Sequence, residues 1–212
     1  MNGSENACQE APIHGLVLAG GSSVRMGQDK GLLDYHHGIP QVLWLTRLLE
    51  GFCKSVYISV NSRQREVDPY VGLPTLLDQT PYQGPAAGLL SAWEEIPNAA
   101  WLVVAIDLPF INQATLERLV AGRLPDCLAT AFRHPVGVLE PVCTLWEPAA
   151  RVVITEQSVA GERSLRRVLE AGPVGELTPS TPRELRSVNT PNEYQKAVAI
   201  LAAGSSDTNS TR

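Results

Sequence analysis

Apolar residues along this chain follow two rhythms. Short, nearly unbroken apolar runs recur at 14–19 (HGLVLA), 55–60 (SVYISV), 73–77 (LPTLL), 101–106 (WLVVAI), 127–132 (CLATAF) and 142–146 (VCTLW). Their length and β-branched content predict strands. WLVVAI is apolar at every position, as expected of a central strand buried on both faces. A last strand is expected at Glu184–Val188. Between the strands the rhythm lengthens. Behind Pro40, the residues Val42, Leu45, Leu48, Leu49 and Phe52 recur at helical spacing. A second helix is expected to start at Gly84-Pro85, with Leu89, Leu90, Trp93 and Ile96 on its apolar face. Further helices are expected at 112–121, 148–158, 163–171 and about 191–202.

Strand and helix alternate throughout. That pattern predicts an α/β fold: one Rossmann-like, doubly wound, mostly parallel sheet with helices on both faces. The domain is expected to span 13–202, after a flexible lead-in at 1–12 and before a Ser/Thr-rich, disordered tail at 203–212. The polar stretch 62–72 reads as a solvated helix or loop. His36-His37-Gly38-Ile39-Pro40 reads as an exposed turn rather than a metal site. Trp44 reads as a packing residue.

Composition narrows the options. The chain has 212 residues, enough for one sizeable core, with 44% hydrophobic and 18% charged positions. A formal net charge of −5 argues against nucleic acid and anionic membranes as partners. Cys8, Cys53, Cys127 and Cys143 form no C-x-x-C pair, which fits reduced thiols rather than a zinc site. The polar N-terminal stretch lacks the order of a signal peptide, and no apolar run approaches the length of a membrane span. A cytoplasmic location is the expectation.

The chemistry concentrates in Gly15 to Lys30, GLVLAGGSSVRMGQDK. An apolar run ends in Leu18, Ala19, Gly20 and Gly21, small residues that let a ligand approach main-chain N–H groups. A row of such groups makes an anion-binding concavity. Arg25 and Lys30 follow, one a planar fork and the other a mobile point charge. This arrangement suits a nucleoside triphosphate. It is neither the G-x-x-x-x-G-K-[ST] loop of P-loop enzymes nor the G-x-G-x-x-G of dinucleotide folds. Asp107 ends the WLVVAI strand, where it could hold Mg²⁺ or simply cap the following turn. Asn61 and Asp78 also sit just past strands, and Gly84 opens a helix rich in small residues. His134 has some claim to a site but reads as a solvated loop residue, and the arginines 163, 166 and 167 could hold an anion or equally form a solvated helix face.

The string Leu18 to Lys30, L-A-G-G-x-x-x-R-M-G-x-D-K, closely resembles the signature of the molybdenum cofactor guanylyltransferases, within the wider nucleotidyltransferase group. Gly84-Pro85-Ala86-Ala87-Gly88 resembles that family's G-P-x-A-G element, and Asn189-Thr190-Pro191 the end of its N-x-N-T-P element. The resemblance covers about 14–200 and implies the nucleotide-diphospho-sugar transferase type of fold. It implies transfer of GMP from GTP to molybdenum-molybdopterin, with Mg²⁺ as cofactor. By the same resemblance Arg25, Lys30 and Asp107 are catalytic and Asp107 is the metal ligand. Leu18, Ala19, Gly20, Gly21, Lys30, Asn61, Asp78, Gly84 and Asp107 bind the nucleotide. Transient contact with molybdenum insertion or delivery proteins is implied as well. Two positions depart from the pattern. Glu140 precedes Pro141 where the family often has His, and Ser187 stands where the first Asn usually lies. Other readings are a CTP-dependent molybdopterin enzyme, a sugar-phosphate nucleotidyltransferase, and a non-catalytic nucleotide-binding accessory protein.

Overall fold

A computed structural model describes residues 10–21, 23–78 and 84–207. A seven-stranded sheet forms the centre, in the order β5-β4-β1-β6-β8-β7-β9. Its strands are β1 (Ile13–Leu18), β4 (Val56–Val60), β5 (Thr75–Leu77), β6 (Ala100–Ala105), β7 (Ala129–Arg133), β8 (Leu139–Trp146) and β9 (Val174–Leu177). Every pairing is parallel except those of β8, which runs antiparallel to both β6 and β7. A small hairpin, β2 (Asp34–His36) with β3 (Ile39–Pro40), stands apart from it. The fold is therefore α/β with a mostly parallel sheet.

Burial follows the two-residue period of the strands. On β6, Leu102 and Val104 enter the core under helices α1 (Gln41–Glu50) and α3 (Gln113–Ala121). Trp101 and Val103 face the other way, under α2 (Pro85–Glu95), α4 (Ala150–Val159) and α5 (Leu165–Ala171). All six β6 residues are buried. Each large apolar side chain there contributes about 1.5–3 kcal/mol, so the strand is the anchor of both layers. Pro40 leads into α1, and Val42, Leu45 and Leu49 form its inner stripe. Asn112 caps α3 by accepting from the Thr115 amide at 3.1 Å. The final helix, α6 (Pro191–Asp207), joins a third cluster, where Met26, Leu33, Tyr35, Phe110, Val188 and Ala197 meet. Among the described residues, no helix is long and apolar enough to cross a membrane.

The structure departs from the sequence expectations in four places. Residues 184–188 are not a strand. Leu185 and Val188 are buried as single contacts, and Glu184 turns to Arg118. The last strand is β9, where Val174 and Leu177 flank Gly175 and Glu176, and this mixed pattern hid it. The 62–72 stretch is not simply solvated, because Gln64 and Tyr70 are buried. His36 is not an exposed turn residue. It lies half-buried and stacks on Trp44 at 3.9 Å between ring centres. Helix α6 continues to Asp207, beyond the expected end near 202. The proposed lead-in falls largely outside the described residues (1–9 are not among them), as do 208–212 of the tail.

Candidate active site

The carboxyl ends of β1, β4, β5 and β6 lie side by side, since these strands are parallel neighbours. Whatever follows each strand is therefore delivered to one edge of the sheet. That edge holds a cleft of about 470 Å³, lined among others by Leu18, Ala19, Gly20, Gly21, Lys30, Asp78, Gly84 and Asp107. Eight of the residues singled out in the sequence thus meet in one place. Ser59, Ala105 and Val142 also line it, and the sequence reading did not single them out.

Lys30 and Asp107 form the polar centre. The Lys30 Nζ lies 3.3 Å from Asp107 Oδ2 and donates to Asn189 Oδ1 at 2.6 Å. Their side chains remain 13% and 23% exposed, so both stay open to a ligand. The β6 strand places Asp107, and the Val188 amide braces it by donating to the Asp107 carbonyl at 2.8 Å. Arg25 stands to one side. Its guanidinium lies 3.4 Å from Asn189 Oδ1, in a smaller hollow shared with Ser23 and Lys30. Asn189 thus faces both cations. The N-T-P string before α6 was its only signal in the sequence.

On the opposite wall, Asp78 is fixed by Ser59, whose hydroxyl donates to it. Burial raises the Asp78 carboxyl above its ordinary value, and the Ser59 hydrogen bond opposes that shift. Asp78 presses on Gly20 so closely that a Cβ there would lie 2.0 Å from Asp78 Oδ2. Gly20 is therefore required by the protein's own packing as well as suiting a ligand. Asn61 faces a different space. It lies on an adjoining groove behind the glycine loop, where its Oδ1 accepts from the Arg63 and Gln64 amides at 3.0 and 3.1 Å. Its Nδ2 reaches the Gly20 carbonyl at 3.4 Å. Beyond Val142, Glu140 is nearly buried and meets His134 at 3.0 Å, so His134 is paired rather than simply solvated. Arg167 is 73% exposed and pairs with Glu162.

Among the described residues, no group of three or more His, Cys, Asp or Glu side chains could cage a metal. Mg²⁺ does not need such a cage. It takes one or two carboxylates and fills its shell with water and substrate phosphate. An accessible Asp107 beside an anion-binding loop, with Asp78 in the same cleft, fits that donor set. In combination, the site offers a bed of small residues, two cations and two carboxylates, which suits binding and cleaving a triphosphate.

The family of MobA-like NTP transferase domains matches residues 15–177. A "Molybdenum cofactor biosynthesis bifunctional protein" from Synechocystis is 32% identical over 193 residues. That alignment takes in 91% of this chain, which spans 55% of the relative's length. A "Molybdenum cofactor guanylyltransferase" from Xanthomonas euvesicatoria is 32% identical over 196 residues, covering 89% of this chain and 96% of the relative. Among solved structures, the molybdopterin-guanine dinucleotide biosynthesis protein A of Archaeoglobus fulgidus superposes with a TM-score of 0.75 at 22% identity. It covers 90% of this chain and 99% of its own, a likeness of fold.

Proposed function

Because the chain belongs to the family of MobA-like NTP transferase domains, a nucleotidyltransferase family, we propose that it transfers GMP from GTP to molybdenum-molybdopterin and releases pyrophosphate. The observation that carries this reading is the meeting of Lys30, Asp107 and Asn189 beside the glycine loop in one cleft.

In this reading the triphosphate lies along Ala19, Gly20 and Gly21. An oxygen of the pterin's terminal phosphate attacks the α-phosphorus of GTP. The new P–O bond forms as the bond to the β-phosphate oxygen breaks, and the electron pair leaves with pyrophosphate. Arg25 and Lys30 offset the negative charge that builds on that leaving group. Asp107 is the residue that would hold Mg²⁺, which when bound neutralises phosphate charge. The attacking phosphate is already anionic, so no side chain has to remove a proton. Catalysis is then positioning plus electrostatics. Asp78 and Ser59 stand on the nucleoside side of the cleft, and Val142, with Glu140 two residues before it, on the acceptor side.

Pyrophosphate release, measured in Mg²⁺ with GTP, CTP, UTP or ATP and with or without molybdenum-loaded molybdopterin, tests both substrates. Release from GTP only in the presence of the pterin is the expected result. Release from CTP would replace the guanine assignment. Failure of every nucleotide with the pterin would overturn the molybdenum assignment.

A further inference from the structure

Behind the glycine loop lies a buried polar group that the reaction scheme above does not use. Gln64 is 7% exposed and Tyr70 1%. The Gln64 Nε2 donates to the Ala19 carbonyl at 2.9 Å and to Asp29 Oδ2 at 2.8 Å. Its Oε1 accepts from the Asn61 amide at 3.0 Å. Both N–H donors and one lone pair of the carboxamide are thus used, each toward a different segment, and the Tyr70 oxygen lies 3.4 Å from Nε2 as well. Tyr70 donates its hydroxyl to Asp29 Oδ1 at 3.0 Å, and the Gly31 amide donates to the same oxygen at 2.8 Å. Buried polar groups are as a rule paired, and a fully paired network holds the segments it joins rigidly.

The arrangement also demands a particular neighbour. A Cβ on Gly31 would lie 1.9 Å from the Tyr70 oxygen, so only glycine lets the hydroxyl reach Asp29. Burial, and then the charge of Asp29, raise the Tyr70 hydroxyl well above its ordinary value, which keeps it a donor.

Two consequences reach the cleft. Asp29 caps the 3-10 turn Lys30–Leu32, so it sets the start of the turn from which Lys30 extends toward Asp107 and Asn189. Gln64 and Asn61 also draw the Ala19 and Gly20 carbonyls to their own side of the loop. In a trans peptide the N–H points opposite to the C=O, and among the described residues the only cis bond is Asp68-Pro69. The Gly20 N–H is therefore directed away from Gln64, and the Gly21 N–H away from Asn61.

We propose that Asp29, Gln64 and Tyr70 are positioning residues for nucleotidyl transfer: Asp29 and Tyr70 hold the turn that presents Lys30, and Gln64 aims the Gly20 N–H of the glycine loop and braces Asn61 beside it. This rests on the transfer reaction proposed above. It predicts a division of effects. Asp29→Asn leaves one acceptor oxygen for three donors, so an NH₂ group must face either Gln64 or the Gly31 amide. Tyr70→Phe removes a single hydroxyl.

The test is steady-state pyrophosphate release with the nucleotide the wild-type protein accepts, for Asp29→Asn, Tyr70→Phe and Gln64→Leu, each alone and combined with Lys30→Ala. Melting temperatures are recorded alongside. Asp29→Asn is expected to lower kcat about tenfold and Tyr70→Phe several-fold, and both losses should shrink toward nothing in the Lys30→Ala background. Gln64→Leu should chiefly raise KM and retain its effect there. Wild-type kcat in Asp29→Asn would overturn the proposal, as would an equal loss with and without Lys30. If the wild-type protein itself releases no pyrophosphate, the transfer reading fails instead. The positioning role is then judged by Mg²⁺–GTP affinity in the same variants, and unchanged affinity in Asp29→Asn and Gln64→Leu overturns it.

Discussion

Two cation–carboxylate pairs sit at opposite edges of the same sheet. Lys30 and Asp107 meet past the carboxyl ends of the parallel strands, at 3.3 Å, with both side chains partly open. Arg123 and Glu147 meet at the other edge, since Glu147 follows the β8 residue that pairs with Trp101 at the start of β6. Their contact is bidentate, at 2.7 and 2.9 Å, and their side chains are only 9% and 2% exposed. One pair is a planar fork locked on a carboxylate and shut away from water. The other is a flexible ammonium held loosely by an acid and shared with Asn189. The first geometry makes each charge depend on the other, since removing one would leave its partner buried and uncompensated. The second leaves both charges available for exchange with phosphate and metal.

Separating activity from stability sharpens that contrast. Lys30→Ala and Asp107→Ala should each lower pyrophosphate release by at least ~100-fold, while melting temperatures stay close to wild type. Near-normal turnover in either variant would erase the distinction. Glu147→Ala should do the reverse. It strands Arg123 without its buried partner and should lower unfolding free energy by roughly 3–5 kcal/mol. Turnover per folded molecule, measured below the lowered melting point, should remain unchanged.

A smaller effect tests whether the small hairpin is acid-sensitive. His36 stacks on Trp44. Burial lowers its imidazole from 6.5 to about 4, opposed by a hydrogen bond to the Pro109 backbone. The unfolded chain therefore takes a proton that the folded chain refuses. Stability contributed by neutral His36 is intact above pH 6.5 and is lost as pH falls toward 4. After discounting for partial solvent access, the loss is roughly 1–2 kcal/mol. His36→Phe should flatten the acid limb of the stability curve by that amount, seen in denaturant titrations at stepped pH. An unchanged limb would assign the acid sensitivity elsewhere.

Much of this was legible in the chain. β1 and β6 announce themselves by unbroken apolar runs, and the small residues after β1 mark a ligand loop. Alternation of strand and helix then implies that Asp78 and Asp107 share an edge with that loop. The positions that escaped reading depend on contacts between distant segments. Gln64 and Tyr70 lie in a polar stretch without periodicity, and their burial is set by partners 35 and 41 residues away at Asp29. β9 escaped because Gly175 and Glu176 break its apolar alternation. The false strand at 184–188 arose because Leu185 and Val188 are buried by separate contacts that resemble a strand's inner face. Asn61 was legible as a turn-capping residue, yet the groove it lines could not be told from the cleft without the backbone.

The contact between Lys30 and Asn189 joins residues 159 positions apart. Ribosomes add about 5–20 residues per second, so roughly 8–30 s separate the synthesis of the glycine loop from that of the asparagine facing its lysine. Through that interval the sheet can gather its strands, but the ammonium lacks its closest partner and Asp107 lacks the brace from Val188. The corner around Lys30 and Asp107 is therefore the last part of the cleft to be completed, when 188–189 arrive.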